Sequence, residues 1–356
     1  MHPLLLECAR ARPDLDTVRR LAASVSDWSA LAGQAARHGV ASLVSWYLNQ
    51  ACPEGAPAPL RDRFRQNAGR NLLLTGELLR LLGVSEAASI PLVPFKGPVL
   101  AWSLYENPAL REMSDLDVLV RPRDADRAIG LLRSHGYRPQ FPCVDRRFFG
   151  ANQEMPLVRE DGQVAVDLHW GLLPRYFPLD ASAFFERLAP EPIAGRQVLT
   201  FCPEDLLLFL CLHGSKHGWT SLAWLCDIAR LLDRRPVNWD DVLTRAQASH
   251  VSRCLWLGLT LARDLLGAAA PELRREALAA SAREQLMNGS GDVSMRFQLA
   301  LLERLTDKVR FWQGILAPTP ADFESLHIPA SLFPAYYLAR PIRLAVKHGL
   351  LATRRF

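Results

Sequence analysis

Two aspartates, Asp115 and Asp117, open the most chemically loaded stretch of this 356-residue chain. They sit in Ser114-Asp115-Leu116-Asp117 and lead into Val118-Leu119-Val120. In an extended strand successive side chains alternate faces, so Asp115 and Asp117 point one way while Leu116 and Val118 point into a core. Carboxylates about 7 Å apart on one strand face repel unless something positive lies between them. A hard divalent cation, Mg2+ or Mn2+, takes oxygen ligands of this kind. In isolation the same pair would also suit a solvated strand end. The neighbouring residues decide between the two.

Upstream, the strand-like run Ile90 to Phe95 ends in Lys96-Gly97, and a helical segment follows from Val99 to Tyr105. A glycine turn that opens a helix favours an anion, because free backbone N–H groups and the helix dipole both point at it. An arginine loop carrying Arg111 joins this helix to the aspartates. Downstream, Glu154 to Arg159 and Gln163 to His169 form a hairpin pattern around Asp161-Gly162. In its second arm Val164, Val166 and Leu168 share one face, and Ala165, Asp167 and His169 share the other. Asp167 therefore stands on the more polar face. Farther on, His213, Lys216 and His217 fall at i, i+3 and i+4 and share a helix face. The run His213-Gly-Ser-Lys-His217 lacks the glutamate of a zinc-protease helix. Lys216 reads as a phosphate-binding cation, with the two histidines as supporting hydrogen-bond donors; polar decoration of a helix end is the competing reading. Asp227 is placed to anchor that basic cluster by an ion pair. Trp219 and Trp224 read as core.

Strand, glycine turn, helix and then D-x-D on the next strand resembles the polymerase-β-like nucleotidyltransferase superfamily. More narrowly, F-K-G-P, L-Y and R-x-M-S-D-L-D-V-L-V resemble the bacterial family known only as uncharacterised nucleotidyltransferases. The likeness extends through Val166-Asp167-Leu168-His169-Trp170 to Asp227, covering roughly residues 90 to 232. It implies an α+β fold: a small mixed-sheet core with helices behind it, flanked by N- and C-terminal helical regions. It also implies transfer of a nucleoside monophosphate from an NTP to an acceptor, with release of pyrophosphate. Asp115, Asp117 and Asp167 would be the catalytic, metal-binding carboxylates. Lys96, Gly97, Arg111, Lys216, His213 and His217 would be the nucleotide-binding set. One departure stands out. Many superfamily members carry a serine after the turn glycine, whereas this chain has Pro98, with neither a hydroxyl nor an N–H.

Composition bounds the rest. Hydrophobic residues make up 49% and charged residues 22% of the chain, an ordinary globular balance. The net charge of +5 permits nucleotide, nucleic-acid or lipid contact and demands none. Cysteines 8, 52, 143, 202, 211, 226 and 254 form no C-x-x-C pair, which fits a reducing cytoplasm rather than a zinc site or disulfide framework. The N-terminus lacks a signal-peptide order, and no apolar run has the length of a membrane span. Periodicity divides the chain into a helical region 1–88, a core 89–200 and a helical region 201–356. Within the first, Leu60 to Leu82 reads as an amphipathic helix with Phe64, Leu72, Leu79 and Leu82 inward and Arg61, Arg63, Arg65, Arg70 and Arg80 mostly outward. In the last, one helix is expected from Met295 to Phe311 and mostly loop from Leu316 to Pro334.

The basic amphipathic tail from Ala335 to Phe356 suits a membrane surface or a partner; packing on its own protein is the favoured reading. No compact basic and aromatic stripe marks a nucleic-acid surface, so an RNA-modifying transferase is disfavoured. The expected partners are an NTP and an acceptor (protein, peptide or small molecule). The alternative of a different class is a catalytically inactive scaffold of the same fold that binds a nucleotide or a partner.

Overall fold

The computed structural model describes residues 1–141, 149–150, 153–271, 276–288, 293–326, 328 and 332–347. Cys143 and the end of the basic tail lie outside them. Five helices come first: α1 (Pro3–Ala9), α2 (Leu15–Ala22), α3 (Trp28–Arg37), α4 (Ala41–Ala51) and α5 (Ala58–Ala87). The core follows as β1 (Val93–Pro94), α6 (Pro98–Leu104), β2 (Leu116–Leu119), α7 (Ala125–Ser134), β3 (Tyr137–Pro139), β4 (Glu154–Arg159) and β5 (Ala165–His169). After α8 (Ala181–Phe185) comes a hairpin of β6 (Leu188–Ile193) and β7 (Arg196–Phe201). The remainder is helical: α9 (Pro203–Lys216), α10 (Leu222–Arg234), α11 (Trp239–Ala248), α12 (Ser252–Leu266), α13 (Glu276–Asn288), α14 (Met295–Leu301), α15 (Leu305–Leu316), α16 (Pro320–Leu326) and α17 (Ala335–Lys347).

The five-stranded sheet has the order β1-β2-β5-β4-β3. Strands β2 and β5 run parallel and the other neighbours antiparallel. A mixed sheet with helices packed around it is the α+β class that the sequence implies. The alternation read from β2 and β5 holds: Leu116, Val118, Val166 and Leu168 are all buried in one apolar cluster with α7 and the C-terminal half of α5. A second cluster joins helices from both ends of the chain, including Leu4, Leu43, Leu104, Phe209, Leu225 and Leu257. The N- and C-terminal helical regions thus share one core, and both sit against β1 and α6.

Helix α5 departs from its expected orientation. Leu72 is 71% exposed, whereas Asn67 and Asn71 are buried. The amides are inward because they have work there. Asn67 Nδ2 donates to the carbonyls of Ala109 and Arg111, and Asn71 Nδ2 to those of Pro108 and Arg111. Arg70, which reads as a solvated cation in the sequence, donates to the carbonyl of Ser114. The long helix therefore clamps the loop that delivers the aspartates to β2. Buried polar groups are retained only when bonded, and these bonds repay the loss of water.

Three other expectations change. The β6–β7 hairpin has no counterpart in the sequence reading; it pairs Leu188 with Phe201 through Ile193 with Arg196. The helix expected from Met295 to Phe311 is broken into α14 and α15, with Leu302 in extended backbone between them. The stretch expected to be mostly loop after Leu316 contains α16, whose Asp322 is fully buried. The described tail helix α17 docks on that residue: Arg340 and Arg343 pair with Asp322 at 2.6 and 2.5 Å. Tyr336 is buried while Leu338 and Ile342 face outward. No helix among the described residues is long and apolar enough to cross a membrane.

Candidate active site

The parallel β2–β5 pair builds the site. Asp117 lies opposite Asp167, and Leu119 opposite His169. Paired residues share a sheet face, so the two acids and the imidazole emerge together. One ligand atom from each of Asp117, Asp167 and His169 lies within 4.8 Å of the others. Asp115 stands one residue before β2 and outside this tight set. It is close enough for its charge to act on Asp117, Lys96 and Asp167. His169 went unassigned in the sequence, although its spacing of two from Asp167 already placed both on one face.

The charges explain the arrangement. Lys96 Nζ lies 2.6 Å from Asp117 Oδ1, and His169 Nε2 lies 3.2 Å from the same oxygen. Burial opposes ionisation of Asp117, but Lys96 and then His169 more than offset it, and the carboxyl sits below its usual range. Asp167 has no ion pair among the described residues. Burial first, and then the Asp117 carboxylate, push it from 3.8 up to about 6. Asp115 is raised for the same two reasons. The other ring nitrogen of His169 lies 3.3 Å from Glu154 Oε2 without forming a hydrogen bond. Two carboxylates and an imidazole, with one acid held back from ionising by the other, suit a divalent cation, which would remove the repulsion that raises Asp167.

A stability prediction follows from Asp167. Below about pH 4 the carboxyl is protonated in both folded and unfolded chains and contributes nothing. Between 3.8 and about 6 the folded state holds a proton the unfolded state has released, and above 6 ionising Asp167 opposes folding. Asp167→Asn is therefore expected to raise the melting temperature at pH 8 in the presence of a chelator. The gain should shrink through pH 6 and vanish near pH 4. A variant no more stable than wild type at pH 8 would contradict the repulsion.

Gly97 holds φ at +56°, and a Cβ there would meet the Asp115 carbonyl at 3.1 Å. Both facts restrict this turn to glycine. Pro98 is the first residue of α6, where its missing N–H costs nothing. The three candidate cations occupy different situations. Lys96 is engaged with Asp117. Arg111 forms a two-pronged pair with Asp227, with Nε–Oδ1 and Nη2–Oδ2 both at 3.0 Å, and Tyr105 donates to the same carboxylate at 2.8 Å. Asp227 thus anchors Arg111; the expected anchoring of the His213 cluster is corrected, because a guanidinium fork matches a carboxylate better than an imidazole does. Lys216 has no ion pair among the described residues.

The helix α9 reaches the same place. His213 and His217 meet edge to face, with ring centres 4.7 Å apart, and both lie against Trp224. Burial first, and then the charge of Lys96, hold the His213 imidazole well below its ordinary value. Burial first, and then Lys216 and Lys96, push His217 down to about 3. Both rings are therefore neutral at pH 7, and the Asp117 charge reaches His217. Trp219 is fully buried and fills the space left by Gly214 and Gly258, where a Cβ would meet the indole at 2.3 and 3.0 Å. It belongs to the core, as its surroundings in the sequence suggest.

Solved structures to which the chain is similar at low identity include three proteins. One is the antibiotic-resistance factor ANT(2″)-Ia, with 13% identity, TM-score 0.37, and 50% of this chain and 91% of that one covered. Another is the lincosamide antibiotic adenylyltransferase LnuA, with 18% identity, TM-score 0.31 and coverages of 44% and 94%. The third is an antigenic nucleotidyltransferase-like protein from Paracoccidioides brasiliensis, with 15% identity, TM-score 0.31 and coverages of 52% and 91%. No curated protein matches the sequence. A family model matches residues 24–267, well over half of the chain, and takes in helices α3 to α5, the sheet and the helices through α12. The aspartate pair, the glycine turn and the helical cluster from His213 to Asp227 all fall within that span, and the chain belongs to the uncharacterised nucleotidyltransferase family.

Proposed function

We propose that the protein is a metal-dependent nucleotidyltransferase that moves a nucleoside monophosphate from an NTP to an acceptor hydroxyl. The observation that carries this reading is the convergence of Asp117, Asp167 and His169 on one sheet face, beside the partly buried Lys96, in a chain of this family. Such a displacement asks the protein for positioning and charge neutralisation rather than covalent chemistry. Asp117 and Asp167, with Asp115 beside them, would hold divalent cations, Mg2+ or Mn2+. When bound, the ions neutralise charge on the attacking and leaving oxygens. Asp167 would accept the proton of the acceptor hydroxyl. Gly97 lets the backbone of its turn come close to the triphosphate. Lys96 would exchange part of its pairing with Asp117 for a phosphate oxygen. Neutral His213 and His217 would donate hydrogen bonds, and Arg111, fixed by Asp227, would add a static positive charge.

The experiment is label transfer. The full-length protein is incubated with each α-labelled NTP, Mg2+ and a small-molecule extract or a protein extract. Expected is pyrophosphate release together with labelled product, both abolished by chelator. NTP binding without metal-dependent transfer to either extract would favour the inactive scaffold instead.

Lys216 provides a finer test. It carries no carboxylate partner among the described residues, yet its charge reaches His217. Lys216→Met is expected to raise the KM for NTP by about tenfold, or ~1.4 kcal/mol, with little change in melting temperature. Unchanged nucleotide affinity would return Lys216 to a surface role.

A further inference from the structure

A cavity of about 1210 Å3 opens beside β4 and is separate from the cationic side of the site. Six aromatic side chains line it: Phe141, Phe149, Tyr176, Phe311, Phe333 and Tyr337. Glu154 and Pro156 of β4 also line it. In the β4–β5 register Glu154 lies opposite His169, and Pro156 opposite Asp167. Cross-strand partners share a face. The cavity therefore lies on the sheet face that carries the acids, one strand beyond Asp167. Glu154 links the two directly, 3.3 Å from the imidazole whose other nitrogen is 3.2 Å from Asp117.

The sheet order makes this placement informative. Lys96 follows β1, and its charge acts together with that of Lys216 on His217 at the end of α9, so the cations gather on the β1 side of the acids. The aromatic cavity lies on the β4 side. An in-line displacement places the attacking and leaving oxygens on opposite sides of the phosphorus. A cationic side suits the departing pyrophosphate, and a mostly apolar cavity suits the body of a small molecule that brings the nucleophile. Of the three arginines lining the cavity, Arg310 pairs with Asp307 and Arg340 with Asp322. Arg175 is exposed and has no ion pair among the described residues.

We propose that this cavity is the acceptor pocket and takes a small aromatic acid bearing a hydroxyl group. Its rings lie among Tyr176, Phe311 and Phe333, its acid faces Arg175, and its hydroxyl points past Glu154 toward Asp167. This assignment rests on the nucleotidyltransferase reading. In the transfer, the hydroxyl oxygen bonds to the α-phosphorus, the bond from that phosphorus to the bridging β-oxygen breaks, pyrophosphate leaves with the electron pair, and the hydroxyl proton passes to a site carboxylate.

The test uses the intrinsically fluorescent probe 6-hydroxy-2-naphthoate with the full-length protein. Gly314 lies on α15, and a Cβ there would sit 3.7 Å from the Tyr176 ring, an ordinary contact. Gly314→Leu thus narrows the cavity at a helical position where leucine is preferred over glycine. The probe is expected to bind saturably in the micromolar range. Gly314→Leu should raise its Kd at least tenfold, Arg175→Gln should raise it severalfold, and a saturating mixture of the four NTPs with Mg2+ should leave it unchanged. Absence of saturable binding, or a Gly314→Leu protein that binds as wild type does, overturns the pocket. Competitive displacement by the NTPs overturns its assignment to the acceptor, because the cavity would then hold the nucleotide. Binding is read without turnover, so these outcomes stand apart from the failure of label transfer itself.

Discussion

Asp117→Asn is expected to lower nucleotidyl transfer by about 10^3-fold, or ~4 kcal/mol of transition-state stabilisation, while the protein stays folded. Asp117 occupies the centre of the site. Its Oδ1 receives both Lys96 and His169, and it lies in register with Asp167. The amide would keep the shape of the side chain and lose the anionic oxygen that a hard cation requires. The fold should survive because Lys96 also feels the charges of Asp115 and Asp167, so the ammonium is not left alone. The apolar faces of β2 and β5 are untouched. Transfer and melting temperature are measured on the same preparation. A variant that turns over normally at saturating Mg2+ would rule out a metal held by Asp117.

The largest expected effect on stability is at Asp227, a residue far from the acids in sequence. Asp227→Ala is expected to destabilise the protein by about 3–5 kcal/mol, the usual result of removing one partner of a buried ion pair. Asp227 is 2% exposed, and it accepts from both prongs of Arg111 and from the Tyr105 hydroxyl. Tyr105 in turn stacks under Arg230, which donates to the carbonyls of Ala9 and Arg10. One carboxylate therefore ties the arginine loop, α6, α10 and the end of α1 together. Its loss would leave a guanidinium and a hydroxyl without partners in a dry interior. The double variant Asp227→Ala, Arg111→Met removes both charges and is expected to recover most of the loss in denaturant unfolding. If the single variant unfolds at the wild-type midpoint, Arg111 has another anion and the network is misassigned.

These two predictions separate what local pattern could reveal from what packing had to supply. The alternation of Asp115-Leu116-Asp117-Val118 and of Val166-Asp167-Leu168-His169 determined which sheet face each side chain takes. A strand has a period of two whatever it packs against. The Asp-Gly turn determined the β4–β5 hairpin, and Gly97 the turn before α6, because each depends on backbone preferences within a few residues. The resemblance to a nucleotidyltransferase family was likewise carried by short motifs, and the family model bears it out.

Tertiary structure decided how those pieces meet. The parallel β2–β5 pairing brings Asp117 opposite Asp167 across 49 intervening residues, and it makes His169 a member of the site. Nothing local encodes which strands become neighbours. The assignment of cations also depended on packing: Lys96 goes to Asp117 and Arg111 to Asp227, and of these three candidates Lys216 alone has no ion pair among the described residues. Each basic residue carries the same charge in the sequence, and only distance chooses its anion. Asn67 and Asn71 look like polar interruptions of an amphipathic helix. They are buried because the arginine loop presents carbonyls to them. Leu72 is driven outward for the same reason, since one helix face cannot serve both the loop and an unbroken apolar stripe. Residue identity determined the chemistry available to this protein, and long-range packing decided which groups share a site, because electrostatic and hydrogen-bond partners are set by proximity in space rather than along the chain.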